Sequence, residues 1–306
     1  MGFERVPTRR TNAFVDAFLN KRKNRDQCKA TGARDLLLTY KGDEQPVNWR
    51  NTANVFSRAR DLGYKTAVVG WYIPYDRLIG SSLDFCQFFP IRYPDTDLPF
   101  SSRMLKRMAI VPSSLPLVDQ LYWLNPTGLS QNRLDALGHT KSYQAFRRAA
   151  IPVAINPDFN LILLHWPIPH LPVIYSRSRG DFDSSLRGTY VDNLALVDQT
   201  FRELRQAMET AGVWDSTTVL LSADHWDRYS FAVDGKSDHR VPFLLKLAGQ
   251  TTRLDYNRRF NTVATHDLIL SILRGELQDP ESVARWLDQR SKEPLAGFDP
   301  PRNSWE

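Results

Sequence analysis

The chain has 306 residues, of which 42% are hydrophobic and 24% charged, enough apolar content for a sizeable core and too much for a chain disordered throughout. Its 40 Lys and Arg against 34 Asp and Glu leave a formal charge of +6, which suits nucleic acid, an acidic surface or an anionic small substrate. Part of the excess lies in Arg9, Arg10, Lys21, Arg22, Lys23 and Arg25. No stacking aromatics interleave with these residues, so the cluster reads as a solvated basic segment and no nucleic-acid partner is expected. Two cysteines, Cys28 and Cys86, make no disulfide framework and say little about compartment. No stretch reaches the roughly 18–20 apolar residues of a membrane span. The start, Met1 to Arg5, lacks the apolar core of a signal peptide, so the chain as given reads as soluble, with its localisation open.

Residues 1–50 are polar and irregular apart from the island Asp35-Leu36-Leu37-Leu38-Thr39. Asn51 to Leu62 has helical spacing in Val55, Phe56, Ala59 and Leu62 and stops at Gly63. Lys65 to Gly70 then reads as a buried strand, so helix, glycine and strand make half of a βαβ unit. From Ile73 to Pro157 the pattern blurs, with helical stretches near Met104–Ile110, Leu117–Leu124 and Gln131–Ala149 between proline-rich loops. Phe159 to His165 is the next strand. Tyr190 to Ala211 is the clearest helix, its stripe of Tyr190, Leu194, Val197, Phe201, Leu204 and Met208 falling at alternating four- and three-residue steps before Gly212. Strands at Thr217–Leu221 and Val241–Leu247 precede a helix at Val263–Leu273, then a short helix from Pro280 and a loose tail over 280–306. Strands separated by helices indicate an α/β fold with a mostly parallel central sheet and helices on both faces. We read residues 1–306 as one domain without internal repeats.

Two constellations carry chemistry. The apolar strand ending Ser222-Ala223-Asp224-His225 places a carboxylate and an imidazole, both metal ligands, where open α/β sheets keep their sites. His239 follows on the loop before the next strand, and metal sites gather such ligands from separate loops. Lys236 beside it can pair with an anionic oxygen as a point charge. The second constellation is Trp166-Pro167-Ile168-Pro169-His170-Leu171-Pro172, where prolines on each side make a rigid loop that fixes the His170 imidazole at a sheet edge. An imidazole so placed donates to an oxyanion or acts as acid or base. His165, inside the apolar strand, reads as a satisfied core residue.

The order of these motifs resembles the sulfatase-like branch of the alkaline phosphatase superfamily. The matching run is the His170 loop, the Tyr190-Val191-Asp192-Asn193 helix, Gly212-Val213-Trp214-Asp215, the strand into Asp224-His225, and Arg240-Val241-Pro242. Upstream, Gly63 to Gly70 and Thr11-Asn12-Ala13-Phe14 are similar to further family segments. The resemblance implies an alkaline-phosphatase-like α/β fold and a divalent metal, calcium, zinc or manganese, bound with a small sulfate or phosphate ester. By matching position, Asp224, His225 and His239 would be metal ligands, and His170 and Lys236 would contact the substrate anion. Family members are often exported or membrane-attached.

The sequence also departs from that pattern. The family's opening strand, which ends in metal-binding acids, has no counterpart, so the chain reads as truncated at its amino end. Aligned on Leu37-Leu38-Thr39, the nucleophile loop is Ala30-Thr31-Gly32-Ala33-Arg34. An Ala30 methyl cannot attack, a one-residue slip makes Thr31 the nucleophile with Arg34 supporting it, and Cys28 fits the pattern less well. The family's Gly-Lys-Trp-His strand end is here Gly70-Trp71-Tyr72-Ile73. One Asp with one or two His falls short of the six to eight oxygens calcium takes, whereas zinc or manganese manage with fewer. Two functions follow as expectations: a metal-dependent hydrolase or transferase of sulfate or phosphate esters, or a non-catalytic scaffold that binds anions, glycans or a partner.

Overall fold

The computed structural model describes residues 52–90, 131–227 and 238–291, the single positions Ser101 and Gly235, and the backbone of three short strands, β1 (Phe3–Arg5), β2 (Leu37–Tyr40) and β3 (Val47–Asn48). These three pair antiparallel in the order β1-β2-β3. The chain divides into two compact units, residues 2–206 and residues 207–306. The helices expected near Met104–Ile110 and Leu117–Leu124 fall outside the described residues.

In the first unit, helix α1 (Val55–Asp61) is set by its cap. Asn54 Oδ1 accepts from the backbone of Phe56 at 3.0 Å and Ser57 at 3.1 Å, and Ser57 Oγ is bonded back to the Asn54 backbone, a reciprocal box that begins the helix four residues after the expected start at Asn51. Gly63, at φ +87°, ends it: the N–H groups of Gly63 and Tyr64 close on the carbonyls of Arg60 and Ala59.

The chain then enters β4 (Thr66–Trp71), every residue of which is buried. A strand reads as a continuous apolar run when both of its faces are covered, and β4 is such a strand. It lies between β5 (Phe85–Phe89) and β6 (Leu161–His165), all three parallel. On one face Ala67, Val69 and Trp71 pack with Phe89 and with Ala145, Phe146, Ala150 and Val153 of helix α2 (Gln131–Ala154). On the other, Val68 packs with Phe56 of α1, Ile79 and Cys86. Helices therefore cover both faces, as expected. Helix α2 continues past the expected end at Ala149 because Pro152 sits in its final turns and interrupts the ladder only locally. Strand β5 lies in the stretch where periodicity gave no reading, since its Gln87 and flanking loops break the apolar run. Short antiparallel strands β7 (Tyr175–Ser176) and β8 (Asp181–Phe182) lead to helix α3 (Tyr190–Thr210).

In the second unit, Gly212 at φ +70° closes the end of α3, with Val213 N–H on the Met208 carbonyl at 3.0 Å. Strands β9 (Val219–Ser222) and β10 (Phe243–Lys246) pair antiparallel, Ser222 opposite Phe243 and Val219 opposite Lys246. Parallel pairing needs a crossover, usually a helix, and no helix is described between these strands; they form a hairpin instead. Lys246 Nζ donates to the carbonyls of Trp214 at 2.6 Å and Thr217 at 3.0 Å, tying β10 to the turn before β9. Leu247, Leu268, Leu277, Val283 and Leu287 form the core with helices α4 (Thr265–Leu273) and α5 (Pro280–Arg290), the latter capped by Asp279. Among the described residues no helix is long and apolar enough to cross a membrane.

The tightest approach on β4 is at Gly70, where an added Cβ would lie 2.2 Å from Tyr75 Cδ2. The Tyr75 ring has little room to yield, because its hydroxyl is held 2.8 Å from His165 Nδ1. Gly70→Ala is expected to lower stability by about 1–3 kcal/mol in urea unfolding, and an unchanged midpoint would show that the ring yields freely.

Candidate functional site

The carboxyl ends of the parallel strands β4 and β6 bring four aromatic heterocycles together. Trp71 ends β4 and His165 ends β6, with ring centroids 6.3 Å apart. His139 of α2 meets Trp71 edge-on at 5.4 Å, and His170 meets it at 5.1 Å. His139 and His170 lie 6.2 Å from each other. This is the sheet edge at which the sequence pattern placed His170.

The loop that carries His170 is held by one side chain. Asn193, 0% exposed in the first turn of α3, accepts from Ile174 N–H at 3.0 Å through Oδ1. Its Nδ2 donates to the carbonyls of Pro169 at 3.3 Å, His170 at 3.1 Å and Pro172 at 3.2 Å. The amide has only this orientation, because Ile174 N–H requires an acceptor and the carbonyls require a donor. The Ile168–Pro169 and Leu171–Pro172 bonds are cis. Asp192, the preceding residue, anchors the next loop: it accepts from the backbone of Thr189 at 2.7 Å and of Arg177 at 3.0 Å, and those bonds hold its carboxyl below the usual range.

Protonation follows from the partners. His170 Nδ1 lies on the Leu171 carbonyl, which only accepts, so Nδ1 carries a proton. His139 is bonded to the Pro167 carbonyl while its Nε2 has no partner, so it too is protonated at Nδ1. Burial drives the His139 pKa from 6.5 down to about 4, the neighbouring His170 adds to the fall, and the Pro167 bond opposes it. Burial therefore keeps His139 neutral. His165, half-buried and bonded to Tyr75, is satisfied as the sequence suggested.

Asp224, His225 and His239 belong to the second unit, on the segment joining β9 to β10. Asp224 Oδ1 accepts from the backbone of His225 at 3.0 Å and lies 4.0 Å from His225 Nε2. His225 Nδ1 donates to the Trp226 carbonyl at 2.7 Å. His239 is stacked on Trp226, centroids 4.4 Å apart at 26°. The hairpin thus returns His239 to the neighbourhood of His225, through an aromatic ring and not through a shared ligand. Arg240 ion-pairs with Asp238 and keeps that carboxyl far below its usual range. Among the described residues no group of three or more His, Cys, Asp or Glu could hold a metal ion. Asp224 and His225 are a partial donor set, a carboxylate and an imidazole, both exposed. Thr31, Arg34 and Lys236, like Cys28 and Ala30, lie outside the described residues.

Residues 127–274 match the Sulfatase family model, a span that contains His139, His170, Asp224, His225 and His239. This part of the chain is similar to that family. No curated protein matches the chain. The crystal structure of Ps i-CgsB in complex with k-i-k-neocarrahexaose is similar at 14% identity and a TM-score of 0.45, over 77% of this chain and 58% of that one. The chain therefore spans less than two thirds of that structure. Within the matched segment, sequence reasoning missed His139, whose helix gave no signal beyond its period, and the anchoring role of Asn193, visible only as part of a quoted motif.

His139 gives this site a pH signature. Its folded-state value lies below 6.5, so as pH falls from 6.5 the unfolded chain gains a proton that the folded chain refuses until about pH 4. Stability is expected to decline across that window, and His139→Leu to flatten the decline. An unchanged pH slope of the urea midpoint in the variant would contradict the assignment.

Proposed function

We propose that the chain is a sulfatase-like hydrolase that binds a small sulfate ester and cleaves it. The reading is carried by the family match over residues 127–274, which takes in the histidine-bearing loop and the Asp224-His225 hairpin alike. In it, His170 contacts the anion from the carboxyl end of the parallel sheet, where its side chain is exposed and its loop is fixed by Asn193. A held loop matters because an imidazole contributes as donor, acid or base only when its position is set before the ester arrives. Lys236 adds a point charge for an anion, Thr31 attacks, and Arg34 supports the developing charge; these are roles the motifs imply.

Metal dependence belongs to this proposal. Asp224 and His225 would supply a carboxylate and an imidazole lone pair to calcium, zinc or manganese, and the remaining ligands would come from outside the described residues. Lewis-acid stabilisation of the ester oxygens is the chemistry such an ion contributes. The absence of a three-ligand cluster among the described residues favours a second reading, a non-catalytic scaffold that keeps the anion-binding loops.

Turnover of 4-nitrophenyl sulfate by the full chain separates the two. The hydrolase reading expects measurable hydrolysis, a loss of about a hundredfold in kcat/KM for His170→Ala, abolition by Thr31→Ala, and inhibition by a chelator that Asp224→Ala mimics. No turnover with added zinc, manganese or calcium would leave the scaffold reading standing.

A further inference from the structure

His170 is exposed, and rotatable side-chain torsions separate its ring from its backbone. The Asn193 bonds that hold the loop therefore do not by themselves fix the imidazole. A ring that waits in one orientation needs something rigid against it, and Trp71 is placed to serve. Its indole is 4% exposed and belongs to the core cluster of Phe89 with Ala145, Phe146, Ala150 and Val153 of α2. The His170 ring lies against it, centroids 5.1 Å apart at 62°. Tilted contacts of this kind are favoured because an aromatic ring is positive at its edge and negative on its face.

The indole is itself firmly held. In the sheet Trp71 stands opposite Phe89, and just beyond it Tyr72 N–H donates to the Phe89 carbonyl at 2.9 Å and Ile73 N–H to the Trp71 carbonyl at 2.7 Å. Tyr72 has φ +66°, a left-handed conformation that an aromatic residue adopts at a cost and only where its surroundings impose it. His139, 2% exposed on α2, meets the indole edge-on at 5.4 Å and 85°. Among the described residues Trp71 Nε1 has no hydrogen-bond partner, so packing and not a bond of its own sets the place of the ring. An unpaired buried donor is costly, and that cost is borne at the ring that meets His170.

We propose that Trp71 is a positioning residue for His170: Asn193 fixes the backbone of the loop, and the indole, backed by His139, fixes the plane of the imidazole. The inference rests on the reading that His170 contacts the substrate anion, and it gives that contact its preorganisation. Without the indole, the imidazole has to be immobilised as the anion binds. Binding then weakens while the loop itself stays in place.

The test follows the histidine ring protons of the full chain by NMR while inorganic sulfate is added. In the native chain, the His170 ring should show nuclear Overhauser contacts to the Trp71 indole, ring-proton signals displaced from those of the exposed His266, and a shift with sulfate. Trp71→Leu should lose the displacement and bind sulfate about fivefold more weakly, with exchange of the Ile174 amide unchanged. Trp71→Phe restores a ring and should recover most of both. Absence of the indole contacts in the native chain overturns the inference, whether or not Trp71→Leu folds. Equal sulfate affinity in the native chain and Trp71→Leu overturns it too, and leaves the anion reading intact. Sulfate that moves no His170 signal in the native chain overturns the anion reading, and the positioning role with it.

Discussion

The amide of Asn193 is the constraint on which the candidate site of the first unit depends. The loop from Pro167 to Ile174 crosses the sheet edge with three prolines that lack a backbone donor. A buried carbonyl without a partner is costly. One wholly buried side chain on α3 meets three of the loop's carbonyls and the Ile174 N–H as well. The His170 ring is thereby fixed from its own backbone outward, with the helix as anchor.

What this loop faces is set by the strand beneath it. β4 is buried through Trp71, and exposure begins at Tyr72, the residue that follows it. The heterocycles gathered there are Trp71, His139, His165 and His170, and burial holds the His139 pKa down to about 4. The β9–β10 hairpin of the second unit has a different character: Asp224, Asp238 and Arg240 are charged and exposed, and exposed pairs contribute little to stability.

Much of this was legible in the sequence, for reasons that differ between elements. The continuous apolar run at 66–71 could only be a strand covered on both sides, and the stripe from Tyr190 to Met208 could only be a helix packed along one face. The Pro-flanked His170 announced itself as an exposed, fixed imidazole. Strand β5 did not, because Gln87 and the half-buried Phe85 and Phe88 gave neither alternation nor an unbroken run. The hairpin character of β9 and β10 was hidden because pairing direction depends on what the segment between two strands does, which periodicity does not report. His139 was hidden for another reason: a histidine in the middle of a helix looks the same whether it faces solvent or the end of a sheet. The role of Trp71 showed only as a departure from a motif, an indole where a lysine was expected.

The most direct test of the Asn193 constraint is native-state hydrogen exchange at the Ile174 amide, compared between the native chain and Asn193→Asp. The aspartate keeps the acceptor for Ile174 but removes the donor to Pro169, His170 and Pro172 and sets a negative charge against their carbonyls. If one amide holds the loop, Ile174 is strongly protected in the native chain and loses that protection by about a hundredfold or more in the variant, an opening cost of a few kcal/mol. Equal protection in both would mean that the loop is held by other contacts, and the account of how His170 is positioned would be contradicted.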